Sequence, residues 1–242
     1  MAKASTRVLI IIPARSGSKG IAGKNLKVVG GITLVERAIL CALGVNRNVD
    51  VVVSSDDSKV LALCQNYPSV IPLQRPEEIA GDRSQAREYI AHAIEHMQSV
   101  GQKYASIFVL QPTSPFRKPE HVENAIDVLH DQSLGLDSVV SVVQVPHNFI
   151  PDSLYQIEGD RLTRLSSCEE VYDRALKPNY FARNGAAIYG CRLDYFEATK
   201  SLLDNAPGFV QMTALESLDI DTEEDLELAR AVSLYFTSCR IE

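Results

Sequence analysis

Apolar runs and helix-period patterns take turns along most of the chain. Val8–Ile12 is a continuous aliphatic run, the pattern of a parallel strand buried on both faces. Thr33-Leu-Val-Glu36 reads as a capping box opening a helix through about Leu43. Val51–Val53 predicts the next strand and Asp56–Gln65 the next helix. Val70–Leu73 is strand-like and leads into a loop, Gln74–Asp82. Ala86, Ile90, Ala93, Ile94 and Met97 then share one helical face. Tyr104–Leu110 predicts a strand, Pro119–His130 a helix, and Ser138–Val145 a strand stopped by Pro146. Strands separated by helix-length segments imply βαβ units, hence an α/β protein with a mostly parallel sheet and helices on both faces.

Between Pro146 and Tyr180 the rhythm breaks. Pro146, Pro151 and Pro178 punctuate it, Leu154-Tyr-Gln-Ile157 alternates, and Glu158-Gly159-Asp160 marks a turn. This stretch is too long for an ordinary connection and reads as a surface excursion or a dimerisation arm. Sheet character returns at Ala186–Tyr189, with Phe209–Met212 a further candidate. The chain ends in a helix started by Thr222-x-x-Asp225, with Leu228, Ala231, Val232 and Tyr235 on one face. The 242 residues suit a single domain with a protruding element.

Composition narrows the partners. The chain holds 24 Lys+Arg against 31 Asp+Glu, a net charge of −7, so nucleic acid is not the expected partner. No apolar run reaches the ~18 residues of a membrane span. Cys41, Cys64, Cys168, Cys191 and Cys239 contain no C-x-x-C and read as small core residues of a reduced, cytoplasmic protein.

The densest chemistry is Ile12-Pro-Ala-Arg15-Ser-Gly-Ser-Lys19-Gly20-Ile-Ala-Gly23-Lys24-Asn25. It follows the first strand, at the carboxyl edge where open α/β sheets bind ligands. Its glycines let backbone N–H groups face an anion, and Arg15, Lys19 and Lys24 add charge. A phosphate site is therefore expected. Ser18–Asn25 fails the Walker A pattern at both ends, and G-x-G-x-x-G is absent.

The loop resembles the N-terminal signature of the acylneuraminate cytidylyltransferases, I-P-A-R-x-G-S-K-G-x-x-x-K-N. Gln74-Arg75-Pro76-Glu-Glu-Ile79-Ala80-Gly-Asp82 looks like that family's R-P-x-x-L-A-x-D segment. Leu110-Gln111-Pro112-Thr113-Ser114-Pro115-Phe116-Arg117 is similar to its L-Q-P-T-S-P-L-R, and Asp219-Ile220-Asp221-Thr222-Glu223 to its D-I-D-T-E. The resemblance implies a Rossmann-like three-layer fold of the nucleotide-diphospho-sugar transferase type. It also implies a homodimer whose arm, within 146–183, completes the partner's sugar site. The implied activity is transfer of CMP from CTP to the anomeric hydroxyl of an acidic nine-carbon, nonulosonic sugar, with release of pyrophosphate. Alternatives are a Kdo-like acceptor or a nucleotide-binding module without turnover.

By the same resemblance, Arg15, Ser18, Lys19 and Lys24 hold the triphosphate. Asn25 and Arg75 contact ribose and cytosine, Asp82 and Ser84 close that pocket, and Gln111 faces the sugar. Arg183, Asn184 and Tyr189 belong to a segment similar to the family's R-x-N-G-A-I-Y, but one residue longer; Arg174 is a second candidate for the sugar carboxylate. Two carboxylates at i, i+2 on an extended segment share a face. Asp219 and Asp221 could thus be helix-start residues, but beside a triphosphate loop they read as an Mg²⁺ pair. Mg²⁺ is the expected cofactor. Asp152 falls where some members carry an arm lysine and would repel an acidic sugar. A competing motif, His92-Ala-Ile-Glu95-His96, matches the H-x-x-E-H of zinc proteases. The same helix needs its other face for the core, which leaves these histidines towards solvent.

Overall fold

The computed structural model describes residues 6–17, 20–165, 177–185 and 187–238. The first strand, β1 (Val8–Pro13), is buried at every position. It leads through a glycine-rich loop to a short hairpin, β2 (Val28–Val29) and β3 (Ile32–Thr33), and then to α1 (Leu34–Leu43). Thr33 caps that helix: its hydroxyl accepts from Glu36 N, and the Glu36 carboxylate accepts from Thr33 N. This is the capping box expected from the sequence. β4 (Val49–Ser55), α2 (Ser58–Cys64) and β5 (Val70–Gln74) follow. Next come α3 (Ala86–Ser99), β6 (Ser106–Val109), α4 (Pro119–His130) and β7 (Ser138–Gln144). Beyond an excursion containing β8 (Tyr155–Glu158) and β9 (Arg161–Arg164), the chain returns as β10 (Phe181–Arg183). β11 (Tyr189–Arg192), α5 (Leu193–Thr199), β12 (Gly208–Met212) and α6 (Glu223–Ser238) complete it.

β1 pairs in parallel with β4 and β6, and β4 with β5. β11 is antiparallel to both β6 and β7, while β12 runs parallel to β7. β12 covers positions 139–143 of β7, so β10 (opposite 142–144) and β11 (opposite 138–140) share its other edge. The sheet is mostly parallel, as expected. Alternation along β1 sends Val8, Ile10 and Ile12 to the layer of α1, α2 and α4. Leu9 and Ile11 face α3 and α5. Three layers result, with all of β1 as the central spine.

Several boundaries differ from the sequence reading. The strand expected at Ala186–Tyr189 starts only at Tyr189 and runs to Arg192. Ala86 is exposed, and Tyr89 takes its place on the buried face of α3. The core face of α6 is Leu226, Ala229, Val232 and Ser233, leaving Leu228, Ala231 and Tyr235 exposed. The helix carries two apolar stripes, and Ile21, Val29, Leu34 and Phe116 select the first by packing against it. Cys41, Cys64 and Cys191 are buried and free; Cys168 and Cys239 lie outside the described residues.

The excursion leaves β7 and rejoins it at a neck where Val145 N donates to Tyr180 O at 2.9 Å. β8 and β9 form a separate hairpin around Gly159, whose φ is +62°. All eight of its strand residues are exposed. Among the described residues, no helix is long and apolar enough to cross a membrane.

Candidate active site

The carboxyl ends of β1 and β4 together shape the loop that follows β1. Ser55 Oγ donates to Ala14 O at 2.5 Å. Asp56, just past β4, accepts from Ser16 N at 2.8 Å and from Ser16 Oγ at 2.5 Å. Burial alone would raise the Asp56 carboxyl, but the Ser16 bonds outweigh it and hold it below its ordinary value. Farther along, Gly23 adopts φ +62° and opens a short 3-10 turn, Lys24–Leu26. From that turn Asn25 reaches back, its Nδ2 donating to Arg15 O at 2.9 Å. The loop is thus pinned at three points before any ligand arrives. Such preorganisation is what an anion cradle requires.

Above this loop lies a cleft of about 620 Å³. It gathers Arg15, Lys24, Asn25, Arg75, Ser84, Gln111, Asp219 and Asp221 into one wall system. Residues as distant as 15 and 221 in sequence therefore meet, as the motifs imply. Asp82 stands at the rim, its Oδ1 accepting from Arg15 Nη1 at 2.9 Å. Ser18, Lys19 and Arg174 lie outside the described residues.

The two aspartates differ in setting. Asp221 is exposed and takes Lys24 Nζ at 3.1 Å; the same ammonium donates to Ile220 O at 2.8 Å. Asp219 is half-buried. Burial raises its carboxyl above the ordinary carboxylate value, bonds from Thr113 and Ser114 offset part of that, and the Asp221 charge raises it further. Two glycines make room for the pair. A Cβ on Gly20 would strike the Asp221 backbone carbonyl, and one on Gly185 would lie 2.5 Å from Asp219 Cγ.

At the opposite wall, Arg75 is buried. Its Nε donates to Ser54 Oγ at 3.1 Å and its Nη2 to Ser54 O at 2.9 Å. Its guanidinium stacks 4.6 Å from the Tyr89 ring centre, a cation–π contact. Burial pushes the Tyr89 hydroxyl up to about 12, so it stays protonated as a donor. The sequence reading missed Tyr89, Ser54 and Asp56, since only the tertiary approach of β4 and α3 brings them here.

The positions assigned to the sugar separate. Gln111 lines the cleft. Asn184 does not: it is buried, accepting from Ser141 Oγ at 2.6 Å and donating to Ser217 Oγ at 2.9 Å. Its amide anchors Gly185, which does line the cleft at φ +67°. Tyr189 Oη donates to Gly185 O at 3.1 Å and so braces the same turn. Arg183 is exposed on β10, opposite Val142, away from the cleft lining. Asp152 is buried with Lys177 Nζ 3.5 Å away, so its charge is countered rather than presented to a ligand. Arg117, part of a motif but given no role, is buried and donates to Gln111 O at 3.1 Å and Ala187 O at 2.6 Å.

These parts form a three-layer domain with a basic loop, a carboxylate pair and a cleft across the strand ends. A sequence profile described as cytidylyltransferase matches residues 9–236. The chain belongs to the cytidylyltransferase family. It is similar to a CMP-N,N'-diacetyllegionaminic acid synthase of Legionella pneumophila, 29% identical over 92% of this chain and 94% of the relative. An N-acylneuraminate cytidylyltransferase of Escherichia coli is 32% identical over 93% of this chain, which spans only 51% of that relative's length. A pseudaminic acid cytidylyltransferase of Campylobacter jejuni is 28% identical over 92% of this chain and 94% of its own. Among solved structures, CMP:2-keto-3-deoxy-manno-octonic acid synthetase complexed with CTP superposes with a TM-score of 0.68 at 20% identity, covering 95% of this chain and 99% of that one. That likeness supports the fold.

Among the described residues, no group of three or more His, Cys, Asp or Glu side chains could hold a metal ion. His92, Glu95 and His96 therefore form no such group, and burial with the neighbouring His96 lowers the His92 pKa. The cleft instead offers two carboxylates. That donor set suits Mg²⁺, which accepts one or two carboxylates and completes its shell with phosphate oxygens and water.

Proposed function

We propose that this cytidylyltransferase transfers CMP from CTP to the anomeric hydroxyl of a nonulosonic acid, releasing pyrophosphate. The observation that carries the reading is the convergence of Arg15, Lys24, Arg75, Gln111, Asp219 and Asp221 on one cleft. Relatives acting on legionaminic, pseudaminic and N-acylneuraminic acids support the acceptor class.

In this reading the triphosphate lies on the β1 loop. Arg15 has a planar fork for two phosphate oxygens and Lys24 a point charge. Both neutralise charge as it passes to the departing pyrophosphate. Arg75, fixed by Ser54 and Tyr89, meets the nucleoside end, where Ser84 also lies. Gln111, as amide donor and acceptor, faces the acceptor's hydroxyls. Asp219 and Asp221 would hold Mg²⁺, which supplies Lewis-acid polarisation of the phosphoryl group when bound.

The test is pyrophosphate release from CTP and Mg²⁺ across a panel of nonulosonic acids, with Kdo and other nucleoside triphosphates included. Release with one or more C9 acids is the expected result. Binding of CTP without release from any acceptor would return the chain to a nucleotide-binding module. Lys24→Met removes one charge-assisted phosphate contact and should raise KM for CTP by about 10-fold in initial-rate assays. A KM unchanged within about twofold would leave Lys24 as a tether for Asp221 alone.

The β8–β9 hairpin supports a homodimer. Two-stranded hairpins are marginal alone in water, and this one places Tyr155, Ile157 and Leu162 on one face. Ile157 is 76% exposed and Leu162 65%. A second copy of the chain would cover that face. Ile157→Asp with Leu162→Asp should shift sedimentation from dimer to monomer and reduce transfer. A fully active wild-type monomer would defeat the assignment.

A further inference from the structure

A second cavity, of about 470 Å³, lies behind the catalytic wall between α1, α6 and the 115–118 segment. Arg37, Arg117 and Lys118 line it together with Phe116 and Phe236. The two phenyl rings pack at 5.2 Å. Three cations thus line one cavity of a chain whose net charge is −7. Lys118 is answered by Glu216 at 2.6 Å. Among the described residues, the guanidinium groups of Arg37 and Arg117 meet no carboxylate. Arg37 donates only to Val29 O, through Nε and Nη2 at 2.8 and 2.5 Å, and its guanidinium sits 5.8 Å from the Phe116 ring centre. Arg117 is 5% exposed, holds backbone carbonyls with Nη1, and its buried Nε has no partner. Burial raises the Cys41 thiol beside it and outweighs the lowering by the charge and hydrogen bond of Arg117, so that thiol stays neutral and supplies no counter-charge.

A buried charge without a partner is costly, and carbonyl dipoles only partly offset it. Gly30, at φ +60°, tightens the wall: a Cβ there would collide with Arg37 Nη2 and Ser233 Oγ. We propose that this cavity is a binding site for a small anion bearing an apolar ring, its phosphate or carboxylate answering Arg37 and Arg117 and its ring lying on Phe116 and Phe236. The site is separate from the catalytic cleft. Arg117 nevertheless joins the two, because its other contact is the carbonyl of Gln111 in the cleft wall.

The experiment uses the full chain with CTP saturating the cleft. Phenyl phosphate is titrated by calorimetry, with benzoate as its carboxylate counterpart and inorganic phosphate as the ring-less control. Saturable binding of phenyl phosphate or benzoate is expected, at least ~10-fold tighter than inorganic phosphate. Arg37→Met should weaken it by at least ~10-fold, the equivalent of one hydrogen bond to a charged group. Thr237→Trp, from an exposed position on the cavity lining, should block it by bulk without changing any charge. Both variants should bind CTP as the wild type does, which shows that they fold. The proposal is overturned if neither ringed anion binds, if CTP competes with it, or if both variants bind as tightly as wild type.

Discussion

Asp219→Asn and Asp221→Asn should each lower CMP transfer by at least ~10²-fold, the cost of losing one strong electrostatic contact, yet only the first should change stability. Asp219 is the half-buried member, and its folded-state pKa is raised, first by burial and further by Asp221. Between its unfolded and folded pKa values the native state binds more protons. Stability therefore falls as pH rises through that window and stays reduced above it. At neutral pH the ionised Asp219 carboxylate therefore lowers stability. Asparagine removes the charge in the same shape, so Asp219→Asn should raise Tm at pH 7 and lose that gain at acid pH, where the native carboxyl is already protonated. Asp221 is exposed and pairs with Lys24 at 3.1 Å, so Asp221→Asn should leave Tm nearly unchanged and raise the Mg²⁺ concentration needed for turnover. In wild type, transfer should fail on the acid side above the pH at which an ordinary aspartate protonates. Thermal unfolding and pyrophosphate release across pH 4–8 would check all of this. A lower Tm for Asp219→Asn at pH 7 would mean that its bonds to Thr113 and Ser114 outweigh its burial.

The legible parts of the molecule were those where local pattern and tertiary role coincide. Thr33 and Glu36 carry a capping box in sequence and form one in space. The aliphatic run of β1 demands burial on both faces and receives it. Turn chemistry at Gly159 and alternation around it predicted a turn, and a hairpin stands there. The α6 face was not legible, because stripes at 226–229–232 and 228–231–235 are equally periodic. Neighbours far away in sequence choose between them. Arg117 was invisible for a related reason. Its two acceptors are backbone carbonyls 6 and 70 residues away, and a carbonyl leaves no mark on residue type. Asn184 shows the converse error. A polar side chain in a matched motif suggests ligand contact, whereas here its amide is spent inside the protein to hold its neighbour.

That neighbour carries the last prediction. Gly185→Ala should lower transfer by about 10²-fold while the domain remains folded. The backbone there has φ +67°, a left-handed conformation that costs a residue with a Cβ ~1–2 kcal/mol. Relaxing that strain is hindered, since Asn184 on one side is locked to Ser141 and Ser217 and Tyr189 Oη grips the Gly185 carbonyl. The new methyl would sit 2.5 Å from Asp219 Cγ and 2.9 Å from its Cβ, closer than atoms can approach. The side chain of Asp219 is the softer partner, so the carboxylate gives way rather than the sheet. Displacing it shifts the group proposed to act on the triphosphate, and a misplacement of about 1 Å can cost ~10²-fold in rate. Tm should fall by only a few degrees, the equivalent of ~1–2 kcal/mol in a domain of this size. Tyr189→Phe loosens the turn without crowding Asp219, so it should cost far less than Gly185→Ala. Equal losses in the two variants would place the effect in the turn's conformation instead of in the carboxylate. Near-normal turnover in Gly185→Ala would show that the position of Asp219 does not limit the reaction.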